Sequence, residues 1–377
     1  MDGSFRIGKI FGIPIQIHYT FLLVIPLFAW IIGSQISLTI DMIRGIYDVP
    51  VDSALITAGY LPYVLGAIVA LGLFGGVLIH EVAHCIVAVR NGIRINSITL
   101  MLFGGISSMD EGTPDPRVEL PMALVGPLTS LVVGLVSSAI VYAVPALTAD
   151  PPTEGVLVFV FGYLGVLNII LFAFNLLPAF PMDGGRVLRA FLAKRMPLHR
   201  ATRIAADVGR GFAILFGIVG IVFFNPFLLL IALFIYIGAS TESTAVRYSF
   251  LLQDVTVGNM MSTPVTTVPP SMPVSQVIAM MYSSKHLGFP VVERDTIVGM
   301  ITLADVNRTS SIDREAMQVR DIMTREIVTL PPDAPVMDAL KIMSARNIGR
   351  IPIVADGKIL GIVTRTDILK ITELRQV

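Results

Sequence analysis

The chain is short of charge. Asp, Glu, Lys and Arg make up 14% of its 377 residues while hydrophobic residues make up 54%, against roughly 25% charged in an ordinary globular chain. Water cannot solvate so apolar a surface, so much of the chain must face lipid. No charge excess of either sign exists: Lys plus Arg and Asp plus Glu balance at 27 each, which removes the electrostatic case for a nucleic-acid partner. Cysteine occurs once, excluding an intramolecular disulfide framework and any Cys-rich zinc site.

The few charges leave long gaps. Ile10–Ile40, Leu55–Ile79, Leu120–Ala149, Gly155–Met182 and Gly211–Thr241 contain no Asp, Glu, Lys or Arg, and each is long enough for a spanning helix of about 20 residues. Asn225-Pro226 interrupts the last, which reads as two spans, Ile204–Phe224 and Pro226–Ser240. Arg6 and Lys9, then Arg90, Arg94 and Arg117, then Arg186, Arg189, Lys194, Arg195, Arg200 and Arg203 fall in alternate connections. Because cations near span ends favour the cytoplasmic side, six spans with both termini cytoplasmic are expected. The first apolar run follows a basic stretch as a signal peptide does. It is longer than one, lacks a small-x-small cleavage site, and is expected to be retained.

The second span ends in His80-Glu81-Val82-Ala83-His84, an H-E-x-x-H pattern. On a helix, residues i and i+4 share a face, so two imidazoles can grip one metal while the intervening Glu reaches its water. Composition alone predicts about 0.002 such occurrences in a chain with these few His and Glu residues. The alternative is a pair of snorkelling histidines at a helix end. Catalytic zinc usually takes three protein ligands, and His18, His199 and His286 stand in other contexts. Asp183 closes the fourth uncharged run, in Asn175-Leu-Leu-Pro178-Ala-Phe-Pro181-Met-Asp183-Gly184-Gly185, and the six-span topology brings it to the depth of His84. Asp183 also fits a turn or helix cap. Asn175 fits either a helix end or an amide that holds a substrate carbonyl, and Cys85 points about 100° away from His84, toward packing.

At these residues the sequence resembles the site-2 protease family of intramembrane zinc metalloproteases. The resemblance covers the membrane half. It implies one zinc held by His80, His84 and Asp183, Glu81 activating the water, Asn175 supporting the substrate or oxyanion, and hydrolysis of a peptide bond in a substrate's transmembrane segment. The family's Gly-Pro is present as Gly126-Pro127, but Thr129-Ser130 stand where some members have Asn. Between the second and third spans, Arg94 to Ser108 carries β-branched residues and Gly104-Gly105, the pattern of a hairpin beside the site whose edge could pair with unwound substrate. Ile7–Ile17 reads as a further strand.

Charge density rises after about residue 250, and a repeat emerges. Val257-Gly-Asn-Met-Met261 matches Val319-Arg-Asp-Ile-Met323, and Gly299-Met-Ile-Thr302-Leu-Ala-Asp305 matches Gly361-Ile-Val-Thr364-Arg-Thr-Asp367, each 62 residues on. The units read β-α-β-β-α and resemble a tandem pair of CBS domains. That resemblance implies adenine nucleotides (ATP, ADP or AMP) bound between repeats at Thr302, Asp305, Thr364 and Asp367, with Arg365 near a phosphate. The same T-x-x-D also makes a helix cap, which leaves regulation without ligand, or simple dimerisation, as the alternative.

The expected fold is thus a polytopic α-helical membrane protein of six spans with a small β-hairpin or sheet near the site, plus a cytoplasmic α/β CBS pair. Its expected divisions are 1–248, 249–312 and 313–377. The expected function is intramembrane zinc endopeptidase in regulated intramembrane proteolysis, acting on a membrane-anchored protein, with a homodimer through either half. A CBS-regulated channel or transporter, or an inactive protease-like scaffold, is the alternative. Charged residues lining several spans would favour transport, and these spans are nearly bare apart from His80-Glu81-His84 and Asp207 and Arg210.

Overall fold

A computed structural model describes residues 3–101, 104–109, 115–310 and 313–375. The chain forms two compact units, Met1–Thr244 and Ala245–Val377.

The first unit opens with strands β1 (Ser4–Ile10) and β2 (Ile13–His18), joined at Phe11-Gly12. Both turn residues have positive φ (49° and 82°), the twist a tight hairpin requires. The first charge-free run, expected as a span from Ile10, is therefore extended as far as His18. Ile13, Ile15 and Ile17 alternate with Pro14, Gln16 and His18, a period of two that suits a strand and not a helix. Helical structure begins at α1 (Phe21–Ser34), and α2 (Ile36–Tyr47) follows at an angle of 75° across Gln35.

Next come α3 (Leu61–Arg90), β3 (Ile95–Met101) and β4 (Gly104–Met109), which close a four-stranded sheet in the order β1-β2-β3-β4. Only β2 and β3 pair in parallel. The predicted hairpin between the second and third spans is β3–β4, with residues 102 and 103 outside the described residues. Helices α4 (Pro116–Leu147), α5 (Pro151–Asn175), α6 (Asp183–Ala193), α7 (Leu198–Val222) and α8 (Pro226–Leu251) complete the series. Among the described residues, five helices are long and apolar enough to cross a membrane, or six if the bent α1–α2 pair is one span. Ile214, Leu215, Ile218 and Ile221 on α7, and Phe227, Leu233 and Ile237 on α8, are exposed, as a surface in contact with lipid requires.

Small residues let the helices approach backbone to backbone, the usual mode of packing where no hydrophobic effect drives association. A Cβ at Gly66 of α3 would strike the Ala29 backbone of α1, and one at Gly134 of α4 would meet Gly165 and Ile169 of α5.

The second unit carries the repeat. Its helices are α9 (Val274–Ser284), α10 (Leu303–Asn307), α11 (Val319–Ile322), α12 (Val336–Ala345) and α13 (Arg365–Leu374), with hairpins β5 (Gly288–Glu293)–β6 (Thr296–Thr302) and β7 (Arg350–Ala355)–β8 (Lys358–Thr364). The first strand expected in each repeat shrinks to a one-residue bridge, Val268 to Val291 and Leu330 to Ile353. Each repeat lends its opening segment to the other. Val257 packs in the core of Val336, Met343 and Ile353, whereas Val319 packs in that of Val274, Val277 and Val291. The shared glycines follow from this exchange, because a Cβ at Gly299 would meet Met323 and one at Gly361 would meet Met261.

Candidate metal centre

Two stripes on α3 divide the chemistry. Leu78, Val82 and Cys85 pack with Ile13 and Ile98 of the sheet, and Glu81 shares their side of the helix by the i, i+3, i+4, i+7 rule. His80 and His84, one turn apart, face α4 instead. His84 Nδ1 donates to the Met122 carbonyl at 2.6 Å, and His80 Nδ1 lies 2.8 Å from Ser130 Oγ. A carbonyl only accepts, so His84 carries its proton on Nδ1, and its Nε2 presents a lone pair when the ring is neutral.

Asp183 arrives from α6. Gly184 and Gly185 follow it because the Leu176–Phe180 backbone presses against the start of that helix where any Cβ would intrude. Its Oδ2 sits 3.1 Å from His80 Nε2 and 3.2 Å from His84 Nε2, and the two Nε2 atoms are 3.1 Å apart. Residue exposures of 4%, 6% and 8% for His80, His84 and Asp183 place the triangle inside the protein. Burial alone would raise the Asp183 carboxyl, but hydrogen bonds and charge from the two histidines outweigh it and hold the group below the usual carboxylate range. The position is thus ionised at neutral pH.

With both rings neutral, these are three acceptor atoms crowded at about 3 Å, and they repel one another unless a proton or a metal cation lies among them. Tetrahedral zinc with bonds of about 2.0–2.1 Å separates its ligand atoms by roughly 3.3–3.4 Å, close to the sides of this triangle. Imidazole and carboxylate donors are also the set zinc takes, and both imidazoles have an outer partner that fixes their orientation. The residues fit the ion. Gly126 of α4 keeps the approach open, since a Cβ there would run into both Nε2 atoms.

Asn175, by contrast, ends α5 with its amide donating to the Leu171 carbonyl at 3.0 Å. No hydrogen bond described joins it to the triangle. Cys85 is fully buried, and its thiol donates to Ser107 Oγ at 3.4 Å. Sequence reasoning missed the hydroxyls of Ser130 and Ser107, and it counted Arg189 as a loop cation. Arg189 is 4% exposed and pairs with Glu119 of α4 and Glu242 of α8. Burial works against its charge, but the two carboxylates outweigh burial and raise its pKa.

In the second unit, Thr302 and Asp305 form a capping box on α10, and Thr364 and Asp367 form its copy on α13. In each, Oδ2 of the Asp accepts from the Thr backbone N–H at 2.9 Å and from the Thr hydroxyl. The helix-cap reading of T-x-x-D is therefore present in the geometry. Asp305 also lines a cavity of about 380 Å³ with Arg308, Thr309 and Met317.

Known proteins resemble this chain in both of its units. The profile of peptidase family M50 matches residues 68–150 and 146–216, spanning the H-E-x-x-H helix and Asp183, and that of the CBS domain matches 257–311 and 319–373. The zinc metalloprotease MJ0392 of Methanocaldococcus jannaschii is 32% identical over 380 residues, covering 100% of this chain and 99% of the relative. The chain belongs to peptidase family M50, the site-2 protease family. The solved site-2 protease from Methanocaldococcus jannaschii shares 32% identity, covering 64% of this chain and 95% of that one, with a TM-score of 0.42. A CBS pair of protein MJ0100 solved with 5'-methylthioadenosine and S-adenosyl-L-methionine shares 26% identity over 32% of this chain and 98% of that one, with a TM-score of 0.30. This M50 member is thus a zinc metalloprotease of the CBS-bearing kind, with apolar helices suited to a multi-pass membrane protein.

Proposed function

We propose that the M50 unit is an intramembrane endopeptidase that cuts a transmembrane segment of a membrane-anchored protein, releasing a cytoplasmic fragment. The observation that carries this reading is the buried His80, His84 and Asp183 triangle with Glu81 on the same helix turn. Those three residues hold the zinc, and Glu81 is the proton acceptor. A zinc ion there would supply a Lewis acid that polarises the scissile carbonyl and acidifies water to a pKa of about 7. Glu81 takes the attacking water's proton on Oε1, the oxygen that Ser107 leaves free, and delivers it to the departing amine. Asn175 is assigned to hold the substrate carbonyl. An unwound substrate segment adds to the outer edge of β4, which satisfies backbone groups that lipid cannot.

The bent α1–α2 pair counts as one span in this reading, giving six with both termini and the CBS pair cytoplasmic. The alternation of cation-rich and cation-poor connections supports it, with Arg44 alone against Asp41, Asp48 and Asp52 in the first cation-poor one. The membrane domain then covers 1–248 and the CBS domains 249–312 and 313–377. Elemental analysis of detergent-purified protein is expected to give about one zinc per chain, lost in His80→Ala. A panel of single-span substrates should yield fragments cut within the membrane. A zinc-free wild type after metal supplementation would overturn the reading in favour of a scaffold or transporter.

The CBS pair, on the same proposal, senses an adenine nucleotide at Thr302, Asp305, Thr364 and Asp367. The capping boxes engage Oδ2 of each Asp, so a ribose would use Oδ1, which in Asp305 also accepts from the Thr324 hydroxyl at 3.4 Å. Titration calorimetry of the full chain with AMP, ADP and ATP is expected to show heat that Asp305→Ala and Asp367→Ala abolish. No heat from wild type would leave the boxes as helix caps alone.

A further inference from the structure

Glu81 is gripped by a strand. Gly105 and Ser107 lie two residues apart on β4, hence on one face, and that face is turned to α3. A Cβ at Gly105 would strike Glu81 Cγ, so glycine there makes room for the carboxylate stem. Ser107 Oγ then donates to Glu81 Oε2 at 2.7 Å. The hydroxyl has a single proton. Cys85, one turn beyond Glu81, donates its thiol to the same oxygen, and so directs that proton toward Glu81. The sheet fixes Ser107 in turn, because Ser107 pairs with Ile98 on β3 and Ile98 pairs with Ile15 on β2. Ile98 and Cys85 are both fully buried and pack together. The strand that carries the hydroxyl and the thiol that donates to it are thus both set in packed, buried surroundings.

We infer that Ser107 is the positioning residue for Glu81, rotating the carboxylate so that Oε1 points at the water while Oε2 is held. The inference rests on the reading of Glu81 as proton acceptor. It also gives β4 a second duty, since the strand whose outer edge would receive the substrate is the strand that orients the base.

The test compares Ser107→Ala, Ser107→Thr and Ser107→Val in the full-length protein. Thr and Val have the same shape, and only Thr keeps the hydroxyl. Losing an outer partner of a metal site typically costs 10–100-fold, so kcat should fall by about that factor in Ala and Val with KM within about twofold. Thr should return most of the rate, with zinc content at the wild-type level throughout. A second readout needs no turnover. The infrared carboxylate band that disappears in Glu81→Gln is expected to shift in Ser107→Ala and Ser107→Val and to stay in place in Ser107→Thr. Equal rates for Val and Thr, a loss carried wholly by KM, or an unmoved band would overturn the inference. A wild type that cleaves nothing beyond a Glu81→Gln blank would instead sink the protease reading, and the band would still decide the role of Ser107.

Discussion

Glu81→Gln should retain about one zinc per chain and lose cleavage by roughly 10²–10⁴-fold, the range that proton transfer by a positioned side chain contributes. The substitution is nearly isosteric. The amide oxygen of Gln can still accept from Ser107, and the room left by Gly105 is unchanged, so the sheet and α3 should pack as before. What disappears is a group able to accept and return a proton. Single-turnover cleavage measured beside zinc stoichiometry separates the two. A thousandfold loss corresponds to about 4 kcal/mol of transition-state stabilisation. Turnover at the wild-type rate would remove Glu81 from the mechanism and would require another base, a role for which the described residues offer no second carboxylate in the triangle beyond Asp183.

How much of this was legible in the sequence depends on whether the signal was local. The H-E-x-x-H helix, the glycines after Asp183 and the 62-residue repeat are patterns of residue type at fixed spacing, and the structure places them as that spacing requires. Charge counting found the long helices because lipid excludes charge whatever the fold. It overran across Ile10–His18, where the uncharged segment is the end of β1, a turn and β2, as the strand read over Ile7–Ile17 anticipates. Absence of charge is common to spans and buried strands, and only the two-residue alternation of isoleucines distinguishes them. The break at Gln35 was invisible for a like reason, since Ser34, Gln35 and Ser37 carry no charge. Ser107 and Ser130 were illegible in another sense. A serine's role lies in what it faces, and their partners Glu81 and His80 are 26 and 50 residues away.

Arg189 belongs with those illegible residues, and its loss carries the second large effect. Its guanidinium forks onto Glu119, which is 2% exposed, and reaches Glu242 while stacking 5.0 Å from the centre of the Phe180 ring. Among the described residues Glu119 Oε2 has no hydrogen-bond partner, so Arg189 is its principal compensation there. Arg189→Met would leave a buried carboxylate without a countercharge, and breaking such a pair typically destabilises by about 3–5 kcal/mol. Lysine should recover only part of this, because a point charge cannot reproduce the fork. Arg189→Met combined with Glu119→Gln should recover more, because both buried charges are then gone. The effect should reach the metal. Arg189 and Asp183 share α6, an 11-residue helix, and Glu119 stands on α4 one turn before Met122, whose carbonyl orients His84. The ion cluster therefore ties the element bearing one proposed ligand to the element orienting another. Thermal melting in detergent should show the stability loss, and competition with a zinc chelator should show weaker binding in Arg189→Met than in the double variant. A variant that melts early yet binds zinc like wild type would mean that Asp183 is held by the Gly184-Gly185 contact alone, with the ion cluster serving only to join the helices.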